Sequence, residues 1–305
     1  MGRLPSFPVE ARFEACSVQS RSEASPAEVT RFVPGDAGYP RRLFEIAPAA
    51  PALWVFGRLP VPAERMVAIV GSRAASGVGC KKARALASEL GRGGCSIVSG
   101  GAFGIDAAAH EGALDVGVPT FAVLGCGVDV VYPDRHAALF ERIVAAGGLV
   151  SEHAPGTPPR RRHFPSRNRI IVALADVVIV VEAALRSGAL ITARLARAAG
   201  RRLLVVPGSA GTDALVISGL AQPVDSAADV EAELSGRTTG TVRPVPSAHT
   251  AALLAALGAG ANTPAGLARR LGAPLSLVIG LLSEAEIDGF VRRRAGSLYE
   301  VTRGD

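Results

Sequence analysis

Lysine is almost missing from this chain: of 33 basic residues among 305, only Lys81 and Lys82 are lysines, and the rest are arginine. An arginine excess can follow from genomic base composition. The net charge of +6 therefore points to a polyanionic partner only if arginines sit where phosphates would bind. Cysteine is scarce and scattered. Cys16, Cys80, Cys95 and Cys126 have no CxxC spacing, which argues against a disulfide framework or a zinc site. No apolar run reaches the roughly 18 residues a membrane helix needs. The opening Met1–Ser6 lacks the apolar core of a signal peptide, so the expectation is a cytoplasmic protein with no membrane contact. GxGxxG and the GxxxxGK[ST] phosphate loop are both absent, as is any internal repeat.

What is present is a βα alternation. Short apolar runs at 67–70, 96–98, 121–124, 177–181 and 203–206 lack polar alternation, as strands buried on both faces do. Helical stretches at 77–91, 104–116, 134–146 and 188–199 separate them. This predicts an α/β doubly wound, mostly parallel sheet. Residues 1–30 read as a poorly ordered tail. Residues 31–234 read as the α/β domain, beginning with an extended segment at 31–65. Residues 235–248 read as a linker and 249–305 as a small winged-helix-like domain, with two short strands joined by Arg292-Arg293-Arg294-Ala295-Gly296.

Residues 164–169, Phe-Pro-Ser-Arg-Asn-Arg, follow Arg161 and precede a buried apolar run. Arginine forks suit phosphates and a phenylalanine face suits an unstacked base, which fits single-stranded nucleic acid. A solvated charged loop is the competing reading. Gly71-Ser72-Arg73 follows the first strand, at the end where open sheets place ligands. Ser99, Gly100 and Gly104 form a second such turn, and Ser187-Gly188 a third. Pro207–Thr212 makes a fourth, which together predicts an anion-receptive rim. Asp106 is read as a helix cap, and His110 four residues on as its hydrogen-bond partner, with a general acid/base couple as the competing reading.

Taken together these motifs resemble the DNA-processing protein A family (DprA, also called Smf). The match rests on Ala68–Arg73, Ser99-Gly100 with Gly104–His110, Ala122–Gly127 with Tyr132-Pro133, and Phe164–Ile171. Val181–Ala183 with Ser187-Gly188 and Val206–Gly208 continue it. The resemblance implies an extended Rossmann-like domain that binds single-stranded DNA without metal, nucleotide or other cofactor. It also implies a role in natural transformation, loading of the RecA recombinase, and a homodimer formed through that domain. Carried over by residue, Gly71, Ser72 and Arg73 with Ser99, Gly100 and Gly104 form a phosphate pocket. Phe164 stacks on a base, while Arg167, Asn168 and Arg169 hold phosphates or order the loop. Phe103 departs from the family, which often has arginine before Gly-Ile-Asp; the change removes one phosphate contact or substitutes a stacking surface.

The expected function is therefore sequence-tolerant single-strand binding, not catalysis. The alternatives are a nucleotide-cleaving enzyme of the phosphoribohydrolase type, which would need a glutamate where this chain has Leu215, or a nucleotide sensor. The arginines of the C-terminal hairpin read either as a phosphate-touching wing or as a solvated turn.

Overall fold

A computed structural model of the chain describes residues 28–46, 50–61, 63–235, 248–258, 263–287, 290–294 and 298–301. In chain order the elements begin with β1 (Val29–Phe32), α1 (Leu43–Ile46), β2 (Leu53–Gly57), β3 (Arg65–Val70), α2 (Gly77–Arg92), β4 (Cys95–Ser99) and α3 (Ile105–Asp115). Next come β5 (Thr120–Val123), α4 (Ala137–Ala146), β6 (Gly148–Ser151), α5 (His163–Leu174), β7 (Val177–Val180) and α6 (Gly188–Ala198). β8 (Arg202–Val205), α7 (Ala210–Ile217), β9 (Gln222–Pro223) and α8 (Ala227–Leu234) complete the α/β unit.

The five apolar runs become strands β3, β4, β5, β7 and β8, almost wholly buried because helices cover both faces. The sheet order is β1-β2-β6-β5-β4-β3-β7-β8-β9. Strands β6 to β9 pair in parallel, and β2 and β1 extend the edge antiparallel. The chain winds outward from β3 to one side and returns through β7 to the other. The crevice between those two strands is thus the topological switch point. Leu43, Leu53, Ile171 and Ala193 pack on one face, and Leu86, Leu90, Ile105 and Ala109 on the other.

Several expectations shift. Residues 1–27 lie outside the described residues, but β1 starts at Val29, inside the segment read as tail, and pairs Val29 with Phe56. Phe164–Arg169 is not a loop before a helix; it is the first half of α5. Pro165 is tolerated there because first-turn N–H groups have no partner within the helix. Strand β6 escaped the pattern because it opens on Gly148, whose added Cβ would lie 2.3 Å from the Arg58 carbonyl. On α7, Leu215 and Val216 pack partly on the core, whereas Ile217 stands 86% exposed.

The C-terminal unit comprises α9 (Ala248–Gly258), α10 (Pro264–Leu271), α11 (Leu275–Ile287) and the hairpin β10 (Val291–Arg294) and β11 (Leu298–Val301). Thr263 caps α10, accepting from the Gly266 N–H at 3.1 Å. Leu253, Leu267, Leu282 and Tyr299 form its own core. The arginines expected in the connecting loop lie in β10 itself, with Arg292 opposite Glu300. Residues 236–247, most of the expected linker, lie outside the described residues.

Candidate nucleic-acid interface

A cleft of about 580 Å³ opens at the switch point, between the turn after β3, the start of α5 and the start of α6. Gly71 makes the turn possible: an added Cβ would sit 2.5 Å from Ile105 Cγ1 and 2.9 Å from the Glu182 carbonyl. The neighbouring strand end then pins it. Ser72 N–H donates to the Glu182 carbonyl at 2.7 Å, and the Glu182 carboxylate accepts from Ser76 N–H at 3.1 Å and from Ser76 Oγ at 2.6 Å. The exposed Arg73 is held over the Phe164 ring, 4.9 Å from its centroid. Phe164 lies against Gly125, where a Cβ would meet the ring at 3.0 Å, and against Tyr132, centroid to centroid 5.5 Å. An arginine fork, an aromatic face and two small-residue turns therefore converge on one cleft.

Beneath this rim lies a buried ionic floor. Arg167 is 3% exposed. Its Nη1 donates to the carbonyls of Gly100, at 2.6 Å, and Val123, and its Nε donates to Asn168 Oδ1 at 2.9 Å. The Asp106 carboxylate is 4.0 Å from Nη2. Burial lowers the Arg167 pKa to about 10 although Asp106 opposes it, so the guanidinium stays charged at neutral pH. Burial likewise raises Asp106, with Arg167 opposing. Of the two roles carried over for Arg167, the geometry gives it the ordering one. Gly100 makes room for that guanidinium, since a Cβ would lie 2.1 Å from Nη2. Ser99 is fully buried and donates to the Ile69 carbonyl at 2.6 Å. Gly104, at φ +76°, would put a Cβ 2.3 Å from the Ser72 carbonyl. Ser99 and Gly104 support the rim from behind, outside the cleft lining. Arg169 also falls outside the lining and pairs with Glu152 at 2.5 Å.

The expected Asp106–His110 hydrogen bond is not formed. Asp106 sits in the first turn of α3, but its Oδ2 accepts from Ala102 N–H at 3.3 Å, in the loop ahead of the helix, and no side chain caps the helix start. His110 Nδ1 lies 2.7 Å from Thr120 Oγ1, whose own proton goes to the Ile97 carbonyl at 3.1 Å. Nδ1 is therefore the protonated nitrogen, and the buried Nε2 has no partner among the described residues. Burial, reinforced by His136 and Arg167, pulls the His110 pKa down to about 3.

The four-turn anion rim narrows to one turn. At α2 the Ser76 N–H faces Glu182, and at α3 the first turn itself carries the Asp106 carboxylate. At α7 Ser209 and Thr212 form a capping box, and Asp213 Oδ1 accepts from Gly208 N–H at 2.7 Å. A carboxylate already seated on a helix N-terminus opposes a second anion there. Only α6 differs among these four: no acidic residue lies in its first turn, and Ser187 makes no cap bond. Ser187 Oγ is buried with no partner among the described residues, and Ser187, Gly188 and Ala189 line the cleft. Arg161, exposed, lines it too. Tyr132 is the aromatic lining residue missing from the expected site, as are Ala74, Ala102, Ile171 and Thr192 among the smaller and aliphatic ones. With only three tyrosines and one tryptophan in the chain, an aromatic before Pro133 was the available signal.

Comparison with known proteins fits this geometry. The family model for DNA recombination-mediator protein A matches residues 30–215, and the model for the DprA winged helix domain matches residues 238–297. The putative DNA processing protein DprA of Mycobacterium tuberculosis is 49% identical over 51% of this chain and 41% of its own length. Protein Smf of Escherichia coli is 44% identical over 59% of this chain and 48% of its own length. The chain thus spans about half the length of these curated relatives. The X-ray structure of DNA processing protein A from Streptococcus pneumoniae superposes with a TM-score of 0.64 at 42% identity, covering 68% of this chain and 74% of that one. The Helicobacter pylori protein of that name, described for its single-stranded DNA binding mode, superposes with a TM-score of 0.61 at 30% identity, covering 69% and 97%.

Proposed function

This chain belongs to the DNA recombination-mediator protein A family, and from that premise we propose that it binds single-stranded DNA, largely without regard to sequence, in the switch-point cleft. The observation that carries the reading is the joining of the Arg73–Phe164 pair to the open start of α6 across one cleft. Phe164 offers a face to a base. Arg73, Arg161 and the N–H groups at Ser187–Ala189 offer donors to the adjoining phosphates. Gly71 and Ser72 let the backbone approach. Arg167, Asn168, Ser99, Gly100 and Gly104 hold the frame, and Arg169 stabilises α5 through Glu152.

The role is binding, not catalysis. At the position where a phosphoribohydrolase would carry its glutamate stands Leu215, packed partly on the core. The family resemblance supports a DNA-processing role in transformation, delivery of the strand to RecA, and assembly as a homodimer through the α/β unit. No helix among the described residues is long and apolar enough to cross a membrane, and a cytoplasmic location suits a DNA partner.

The test is fluorescence anisotropy with labelled poly-dT and a matching duplex across a salt series. Single strand should bind more tightly than duplex. Arg73→Ala should weaken binding and flatten the salt slope by about one unit. Phe164→Ala should cost roughly 1–3 kcal/mol with little change of slope. Wild-type binding by both variants would overturn the assignment of the cleft.

A further inference from the structure

Beside the cleft stands an aromatic residue that the binding reading leaves without a role. Phe103 is 43% exposed, unusual for a ring on a loop packed so closely behind Ser72. It is held in place from below. The buried His136 meets it edge-on, with centroids 4.7 Å apart at 75°. His136 is itself fixed by its Nδ1 contact to the Gly101 carbonyl at 3.0 Å and by Phe140 at 5.9 Å. A ring propped this rigidly, with almost half its surface open, has no need of the position for core packing.

The chain joins Phe103 to the cleft on two sides. Ala102, its neighbour in sequence, lines the cleft. Tyr132 also lines it, is 42% exposed and packs against Phe164, and the short turn after Tyr132-Pro133 leads directly to His136. Aromatics thus run from the half-buried Phe164 through the exposed Tyr132 toward the exposed Phe103. Arg135, exposed on the turn between Tyr132 and His136, adds a cation along the same path. Successive aromatic faces with an interleaved cation are what a single strand needs to continue past one bound nucleotide.

We infer that Phe103, backed by His136, is a second base-stacking shelf, which receives a nucleotide of the strand after it leaves the cleft over Tyr132. The inference rests on the single-strand reading above. The shelf extends the binding site and sets its length, and it is indifferent to base identity because every base has a face to stack.

An oligothymidylate length series separates the two claims. For the wild type, affinity should rise with length until the shelf is filled. Phe103→Ala should reach its plateau at a shorter length and bind long oligomers about fivefold or more weakly, while matching the wild type on oligomers that fill only the cleft. Phe103→Tyr should restore the wild-type series. Moving an abasic site along a long oligomer should reproduce the Phe103→Ala loss at one position in the wild type and have no added effect there in the variant. If Arg73→Ala and Phe164→Ala lose binding while Phe103→Ala follows the wild-type curve at all lengths, the shelf is wrong and the cleft stands. If none of the three changes binding, the cleft itself fails and the shelf with it.

Discussion

Around the cleft, Arg73 and Arg161 stand exposed, Arg167 is buried among carbonyls, and Arg169 is tied to Glu152; in the C-terminal hairpin, Arg292 and Arg294 both close on Glu300. Both regions read alike in sequence, as arginine runs beside apolar segments. What separates them is the placement of carboxylates. In the α/β unit the acidic partners take the inner arginines and leave the outer ones facing the cleft. In the hairpin one half-buried glutamate is shared by two exposed arginines, so part of the charge is cancelled where a polyanion would meet it. Arginine density is thus a poor guide to a binding face, and arginine density minus local carboxylates is a better one.

The comparison breaks most sharply at Arg167. If this residue were a phosphate ligand, Arg167→Ala would weaken DNA binding and leave the fold intact. As a floor residue it should do the reverse first: removing the guanidinium strips Asp106 of its counter-charge and three acceptors of their donor. A loss of roughly 3–5 kcal/mol is expected in urea unfolding. The raised pKa of Asp106 works against the upper end of that range, because the carboxyl can take up a proton. An unchanged unfolding midpoint combined with weaker DNA binding would return Arg167 to the list of ligands.

His110, behind the same floor, sharpens the contrast between buried and exposed charge through pH. Its folded pKa of about 3 lies far below its ordinary value of 6.5. Between these values the unfolded chain binds the proton and the folded one does not, so stability falls as pH drops through that window. From pH 7 to pH 5 the loss should be about 2 kcal/mol. Asp106 acts with the opposite sign. Its raised pKa favours the folded state on the acid side and loses that contribution as pH rises through the carboxylate range. His110→Gln, which can still donate to Thr120 Oγ1, removes the imidazole term alone. Its unfolding free energy should therefore depend less on pH than the wild type's over this window. Parallel pH profiles for the two proteins would show that His110 is not held neutral.

The extent to which the site was legible follows the same division. The five central strands could be read because double burial leaves an unbroken apolar run, and their alternation with helices placed ligands at the strand ends; which crevice along that edge is the switch point came only with the strand order. Gly71 and Arg73 were legible as a strand-end turn. Strand β6 was not, since Gly148 at its start and Gly147 just before it are there for close approach to Arg58 and Thr120, contacts remote in sequence. Helix α5 was hidden by Pro165 and by the charges around it. Arg167 could not be told from Arg161 by pattern, because the difference lies in Gly100, Val123 and Asp106, all far along the chain. The three closed helix starts were equally hidden. A small-residue turn looks anion-receptive until the strand beside it delivers Glu182, or its own first turn folds back Asp106 or Asp213.

The smallest expected effect is the one that decides whether the hairpin belongs to the proposed DNA-binding surface. Arg292 and Arg294 hold the Glu300 carboxyl below the usual range, so at neutral pH these two cations face one anion. Glu300→Gln removes the anion and keeps the shape. The two arginines are exposed, and surface pairs of this kind contribute little to stability, so the thermal midpoint should stay where it is. If the hairpin touches a phosphate backbone, the two freed arginines should tighten binding at low salt and steepen the salt slope by about one to two units, with the gain vanishing as salt rises. The increase should be seen with duplex as much as with single strand, because a wing reads backbone charge and not unstacked bases. A slope and affinity equal to the wild type's on both substrates would confine DNA binding to the cleft, and the C-terminal unit would then act through another partner.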